Sequence, residues 1–234
     1  MQLSRERIHG ASTHIHRHTL ERLRAGCSAA DCADVCGTLA AVLDEAFAAA
    51  DSSAAGIACA AGCDFCCHLR VSAFAHEAAA VLHRLRTAVA PAVAADIERR
   101  IVATAGRLEG MTVTEHYAAR IPCALLVDGR CSVYAVRPSA CAAHHSLSRA
   151  RCEQAFERPE QHGTPRNSRP ALLELQTLGD ALIAATQSAL EQGGRDATRR
   201  ELHQALRDLI EGRSEAIIGG DPSCDVHSTS SCGS

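Results

Sequence analysis

The chain has 234 residues, 47% of them apolar and 3% aromatic, with no Trp and a formal net charge of -3 when histidine is neutral. That length suits one large domain or two small ones, and the apolar content supports a core of Ala, Leu, Val and Ile without disulfide staples. The weak negative balance excludes a general nucleic-acid binder, and no apolar run approaches the roughly 18 residues of a membrane span. No apolar segment of the secretory kind follows Met1-Gln2-Leu3-Ser4, so a reducing cytoplasm is the expected setting. There, thirteen cysteines read as metal ligands or redox groups, and their odd number argues against a fully paired disulfide framework.

Residues 1–26 are polar and His-rich (His9, His14, His16, His18), and they read as a solvated arm, partly disordered or loosely helical. Residues 27–211 read as a single helical domain. Ser28 with Asp31 three positions on resembles a capping box. Leu39, Val42, Leu43, Ala46 and Phe47 then give a helical stripe over 28–50. Cys32 and Cys36 share one face of that helix, where they serve better as core residues than as a second metal or redox site. Asp51-Ser52-Ser53 and Gly56 break the chain.

Next comes Cys59-Ala60-Ala61-Gly62-Cys63-Asp64-Phe65-Cys66-Cys67-His68. Were it helical, its four thiols would fall on one face, within an arc of roughly 100°. Thiolates so close repel one another unless a cation lies among them, and soft sulfur favours zinc, iron–sulfur clusters or Cu(I). Adjacent Cys66 and Cys67 do not easily reach one ion, which favours two nearby centres or a polynuclear one. A helix is expected over 73–90, with Phe74, Ala78, Val81, Leu82 and Leu85 inward and Pro91 at its end. Another is expected over 92–118, weakened at Gly106 and Gly110.

Residues 121–152 change character. Two short apolar runs flank Asp128-Gly129, a signal for a β-hairpin with a type I′ turn that pairs Val127 with Arg130 and Leu126 with Cys131. In an ideal ladder Cys123 and Cys131 face opposite ways, so either Cys123 lies outside the ladder or the two serve different metals. Pro138 ends the strand. His68, His144 and His145 are candidate ligands, bases or outer donors, and Arg137 a candidate to compensate thiolate charge or fix the loop. Loop residues fill 157–170, helices return at 170–191 and 197–211, and the Gly/Ser-rich tail 212–234 carries Cys224, His227 and Cys232.

The set Cys59-x3-Cys63-x2-Cys66-Cys67, then Cys123, Asp128-Gly129-Arg130-Cys131-Ser132-Val133-Tyr134 and Arg137-Pro138-x2-Cys141 resembles the YkgJ-like cysteine-cluster family, a zinc- or iron-chelating domain. The likeness covers residues 55–155. It implies metal ligation by Cys59, Cys63, Cys66, Cys67, Cys123, Cys131 and Cys141, with Cys152 as the eighth thiol. Ala142 departs from the Arg that many members carry there.

The expected architecture is mainly α, a helical bundle with a small cysteine-rich hairpin and loop insert held by metal. The expected cofactor is zinc or iron, including an iron–sulfur cluster, in a structural or metal-handling role. The first alternative is an iron-dependent redox or protein-modifying enzyme, since a related domain occurs in protein lysine methylases; a protein partner or substrate would follow. The second is a Cu(I)-storing helical protein built around Cys27, Cys32 and Cys36.

Overall fold

The computed structural model describes residues 3–25, 28–52, 56–162 and 170–213. The chain is mainly helical. Helix α1 spans Arg5–Ala25 and α2 Ala29–Ser52. The capping box at the start of α2 forms as the sequence suggests: the Asp31 amide donates to Ser28 Oγ at 3.1 Å, and the Ser28 amide donates to Asp31 Oδ2 at 3.3 Å. Strand β1 (Ser72–Ala73) leads into α3 (Ala75–Ala88), and α4 runs over Pro91–Leu108. The single helix expected over 92–118 is two. Gly110, at φ 77°, turns the chain, and Thr112 with Glu115 caps α5 (Val113–Ala118). A left-handed turn residue and a fresh cap cost less than carrying glycine through a helix.

The hairpin strands are β2 (Leu126–Val127) and β3 (Arg130–Cys131). Their register is the one the turn dictates, Leu126 opposite Cys131 and Val127 opposite Arg130. Asp128 and Gly129 both have positive φ, 49° and 72°, as a type I′ turn requires. Short helices α6 (Ser139–Ala142), α7 (Arg149–Glu157) and α8 (Pro159–His162) follow. Helix α9 covers Leu173–Gln192 and ends at Gly194, left-handed at φ 70°, with the Arg195 amide donating back to the Leu190 carbonyl. Strand β4 (Arg200–Glu201) pairs antiparallel with β1 and passes directly into α10 (Leu202–Ile210).

The arm expected to be solvated, partly disordered or loosely helical is a 21-residue helix, and it is packed. It packs on α9 and α2 and buries Ile15, Thr19 and Leu23. Its hydropathy is low because a single narrow stripe is apolar, and α9 supplies the surface that stripe needs. Two apolar clusters result. Leu82, Leu85, Ile97, Ile101, Leu206 and Leu209 join α3, α4 and α10, while Ile15, Leu39, Leu43, Leu178 and Leu182 join α1, α2 and α9. Helix α2 contributes to both, and the cysteine-rich segments lie against their edges: Leu125, Val133 and Val136 belong to the first, Ala142 to the second. Among the described residues no helix is long and apolar enough to cross a membrane.

Candidate metal centre

The first cysteine segment is not the helix considered above. Residues 57–64 run irregularly, and only Phe65–His68 makes a 3-10 turn. Gly62, at φ 86°, bends the chain where a side chain would strain it. Three backbone contacts tie this segment to residues far along the chain. The Ala58 amide donates to the Ser146 carbonyl at 2.8 Å, the Cys123 amide donates to the Cys67 carbonyl at 2.8 Å, and Gly129 of the hairpin turn sits beside the Gly62 carbonyl. Aromatic packing adds a fourth tie. Phe156 of α7 lies with its ring centroid 5.6 Å from Phe65 and 4.7 Å from His68, which holds Cys152 against the turn.

The thiols are thereby gathered into two lobes. In one, Cys59 and Cys63 each sense Cys66 and Cys152. In the other, Cys141 senses Cys123, Cys66 and Cys131. Cys66 belongs to both, and the neighbouring Cys67 thiol, with burial, is the chief reason its pKa stands well above the ordinary thiol value. Burial raises Cys131 to about 11, with Cys123 adding to the rise, and burial also raises Cys141 well above the ordinary thiol value. Cys59 also reaches about 11; the residue is exposed, but its sulfur is desolvated by the segments that close over it. Against this crowding, a nearby backbone N–H partly offsets the rise at Cys59, Cys63 and Cys131, as one also does at the core thiol Cys32. Such donors stabilise thiolate, not thiol.

Cys123 lies outside the two-residue ladder, which removes the opposite-face conflict with Cys131. Arg137 fixes the loop and also answers thiolate charge. It is buried, pairs with Asp44 of α2, donates to the Tyr134 carbonyl at 3.0 Å and stacks on the Tyr134 ring, and its charge lowers the Cys131 pKa. His145 is committed to structure, with Nδ1 on the Ala143 carbonyl and Nε2 accepting from the Leu172 amide. His68 places Nδ1 on the Asp64 carbonyl at 3.2 Å. Cys32 and Cys36 are buried in the helical core, and burial pushes Cys32 up to about 12 and Cys36 well above the ordinary range, so both are protonated apolar groups. Cys27, Cys224, His227 and Cys232 lie outside the described residues.

Sequence reasoning passed over two buried carboxylates. Glu77 is 2% exposed and accepts from the Phe74 amide at 2.8 Å and the Ser139 amide at 2.7 Å, so it joins the start of α3 to the start of α6, two residues before Cys141. Glu201 holds His203 beside Cys123. A glutamate at the first turn of an apolar-periodic helix is ordinary capping chemistry, which is why neither stood out.

Comparison with family models, with curated proteins and with solved structures finds no match for this chain. Its reading therefore rests on the donors themselves. Soft sulfur from four separate segments suits a thiophilic cation by its chemistry. Among the described residues no three His, Cys, Asp or Glu side chains already surround one point closely enough to hold an ion, so ligation calls for rotation of the thiol side chains within lobes the backbone has gathered.

Proposed function

We propose that this is a metal-binding protein of the YkgJ-like kind, in which Cys59, Cys63, Cys66, Cys67, Cys123, Cys131, Cys141 and Cys152 hold zinc or iron in two adjacent centres. The observation that carries the reading is that backbone contacts bring thiols from the Phe65–His68 turn, the hairpin, α6 and α7 close enough to act on one another. The metal would tie the hairpin, α6 and α7 to the Phe65–His68 turn and contribute folding free energy, because the ligands are scattered in the unfolded chain. The Cu(I) reading has less behind it, since Cys32 and Cys36 sit inside the core with their protons held.

The test is elemental analysis of anaerobically purified protein together with its visible spectrum. Zinc gives a colourless protein with up to two ions per chain. An iron–sulfur cluster gives brown protein with broad visible absorption. Protein that is folded and free of any bound metal, and that takes up neither zinc nor iron, would refute the reading.

A further inference from the structure

Residues 149–162, helices α7 and α8, stand apart from the rest of the packing. Only Cys152 and Ala155 are buried among them, and neither belongs to either apolar cluster. The Phe65–His68 turn, on which α7 rests, has no buried residue. Apolar burial, which sets the cost of opening a segment, is therefore thin here. The backbone sets the segment off as well. The Leu147 amide donates to the Pro170 carbonyl at 2.9 Å, so the chain leaves the body and re-enters it at one pinned point.

Among the described residues, what holds α7 down is a clasp of rings and exposed arginines. Arg149 lies over the Phe65 ring at 5.5 Å, and the Phe65 and Phe156 ring centroids are 5.6 Å apart. Phe156 meets His68 at 4.7 Å, and Arg120 lies over Phe156 at 5.4 Å. Arg120 also donates to the carbonyl of Glu157, the last residue of α7, at 2.6 Å. Its own backbone is left-handed, at φ 48°, a region that side chains other than glycine rarely enter. The clasp thus outweighs a backbone cost at its own anchor.

We propose that α7 and α8 form a cover that detaches as one unit from the Phe65–His68 turn while both apolar clusters stay closed, and that its opening bares Cys152. The cover goes beyond the metal-binding reading and does not rest on it. Taken with that reading, detachment is the route by which an ion reaches Cys152.

Native-state hydrogen exchange of the full-length protein, read amide by amide by NMR, tests the cover. The Cys152 and Arg158 amides donate to the Ser148 and Gln154 carbonyls and mark the two ends of α7. Corrected for intrinsic rates, both should exchange about a hundredfold or more faster than core amides of α3 and α9. In Phe156→Ala both should exchange about tenfold faster still. In Arg120→Ala both should also speed up, although Arg120 touches only the C-terminal end of α7. Ile97→Val, a mild change inside the larger apolar cluster, should speed the core amides by about two- to tenfold and leave Cys152 and Arg158 unchanged. Acceleration of Cys152 and Arg158 in step with the core in Ile97→Val would show that the segment opens only by global unfolding, and overturns the cover. Acceleration confined to Arg158 in Arg120→Ala would show fraying of the last turn, and overturns it too. Exchange is read without reference to metal content, so either result leaves the metal-binding reading standing, and a protein without metal leaves the cover standing.

Discussion

Replacing Glu77 tests how the cysteine-rich insert is tied to the helical core. The carboxylate is buried and accepts two backbone amides, from Phe74 and Ser139, at 2.8 and 2.7 Å. A hydrogen bond to a charged acceptor contributes about 1.5–3 kcal/mol, and a buried amide left unpaired costs about 1–3 kcal/mol. Glu77→Gln keeps one acceptor and turns an NH2 toward the other amide, so about 2–4 kcal/mol of stability should be lost. Glu77→Ala loses both bonds and leaves a cavity, for about 4–6 kcal/mol. At about 2–4 °C per kcal/mol for a protein of this size, Glu77→Gln should lower Tm by roughly 10 °C. Urea unfolding followed by circular dichroism measures the loss, with Glu98→Gln as the surface control, since its Arg86 pair is partly exposed and worth at most about 1 kcal/mol. Metal content should fall with stability, because the Ser139 amide that Glu77 holds starts the helix carrying Cys141. A Glu77→Gln protein within about 0.5 kcal/mol of the parent, with unchanged metal content, would refute the reasoning.

Four further outcomes are expected. Gly179→Ala would set a Cβ 2.6 Å from Cβ of Ala143; overpacking of about 1–3 kcal/mol outweighs the helix-propensity gain of up to about 1 kcal/mol. Calorimetry should show a lower Tm, restored in part by adding Ala143→Gly, and a raised Tm would contradict the close approach. Arg137→Ala should cost about 1–3 kcal/mol in denaturant unfolding, less than a fully buried pair because Asp44 is 44% exposed; Arg137→Lys should recover little of it, since an ammonium cannot reproduce both the fork and the ring stacking. Cys63→Ser and Cys141→Ser should each lower metal stoichiometry and Tm together, and unchanged stoichiometry in both would take these residues out of the site. Acid should destabilise through His76, whose pKa burial depresses below 6.5 despite the opposing charge of Glu77. The unfolded ring takes up its proton near 6.5 and the folded ring only at lower pH, so this contribution is full above about pH 7. It is lost as pH falls through 6.5 toward the folded value, by up to about 1.4 kcal/mol per pH unit. His203, shifted the opposite way to about 10, gains stability as pH falls toward 6.5 and is level below it, so it offsets the loss between pH 7.5 and 6.5, and the comparison with His76→Gln isolates His76. Unfolding free energies at pH 7.5 and 5.5 that differ equally in His76→Gln and the parent would discount His76.

Local chemistry was enough wherever the deciding contacts lie within a few residues. The Ser28–Asp31 cap, the left-handed Asp128-Gly129 turn with its register, and the apolar stripes of α2, α3 and α9 are all set by neighbours three or four positions away or directly across a hairpin. The candidate thiols were legible too, because their density between residues 59 and 67 has no ordinary packing explanation. Contacts across long sequence distances settled the remainder. The arm around Ile15 became a helix because α9, more than 150 positions on, covers its stripe. Cys123 took its place from the Cys67 carbonyl, and Cys152 from Phe156 resting on Phe65 and His68. Glu77 and Glu201 look like surface capping residues in the linear chain; their burial in the folded core, and for Glu77 the amide of Ser139 62 positions on, gives them their weight. A sequence carries donor chemistry and local dihedral preference; which donors share a desolvated volume depends on how the helices close around it.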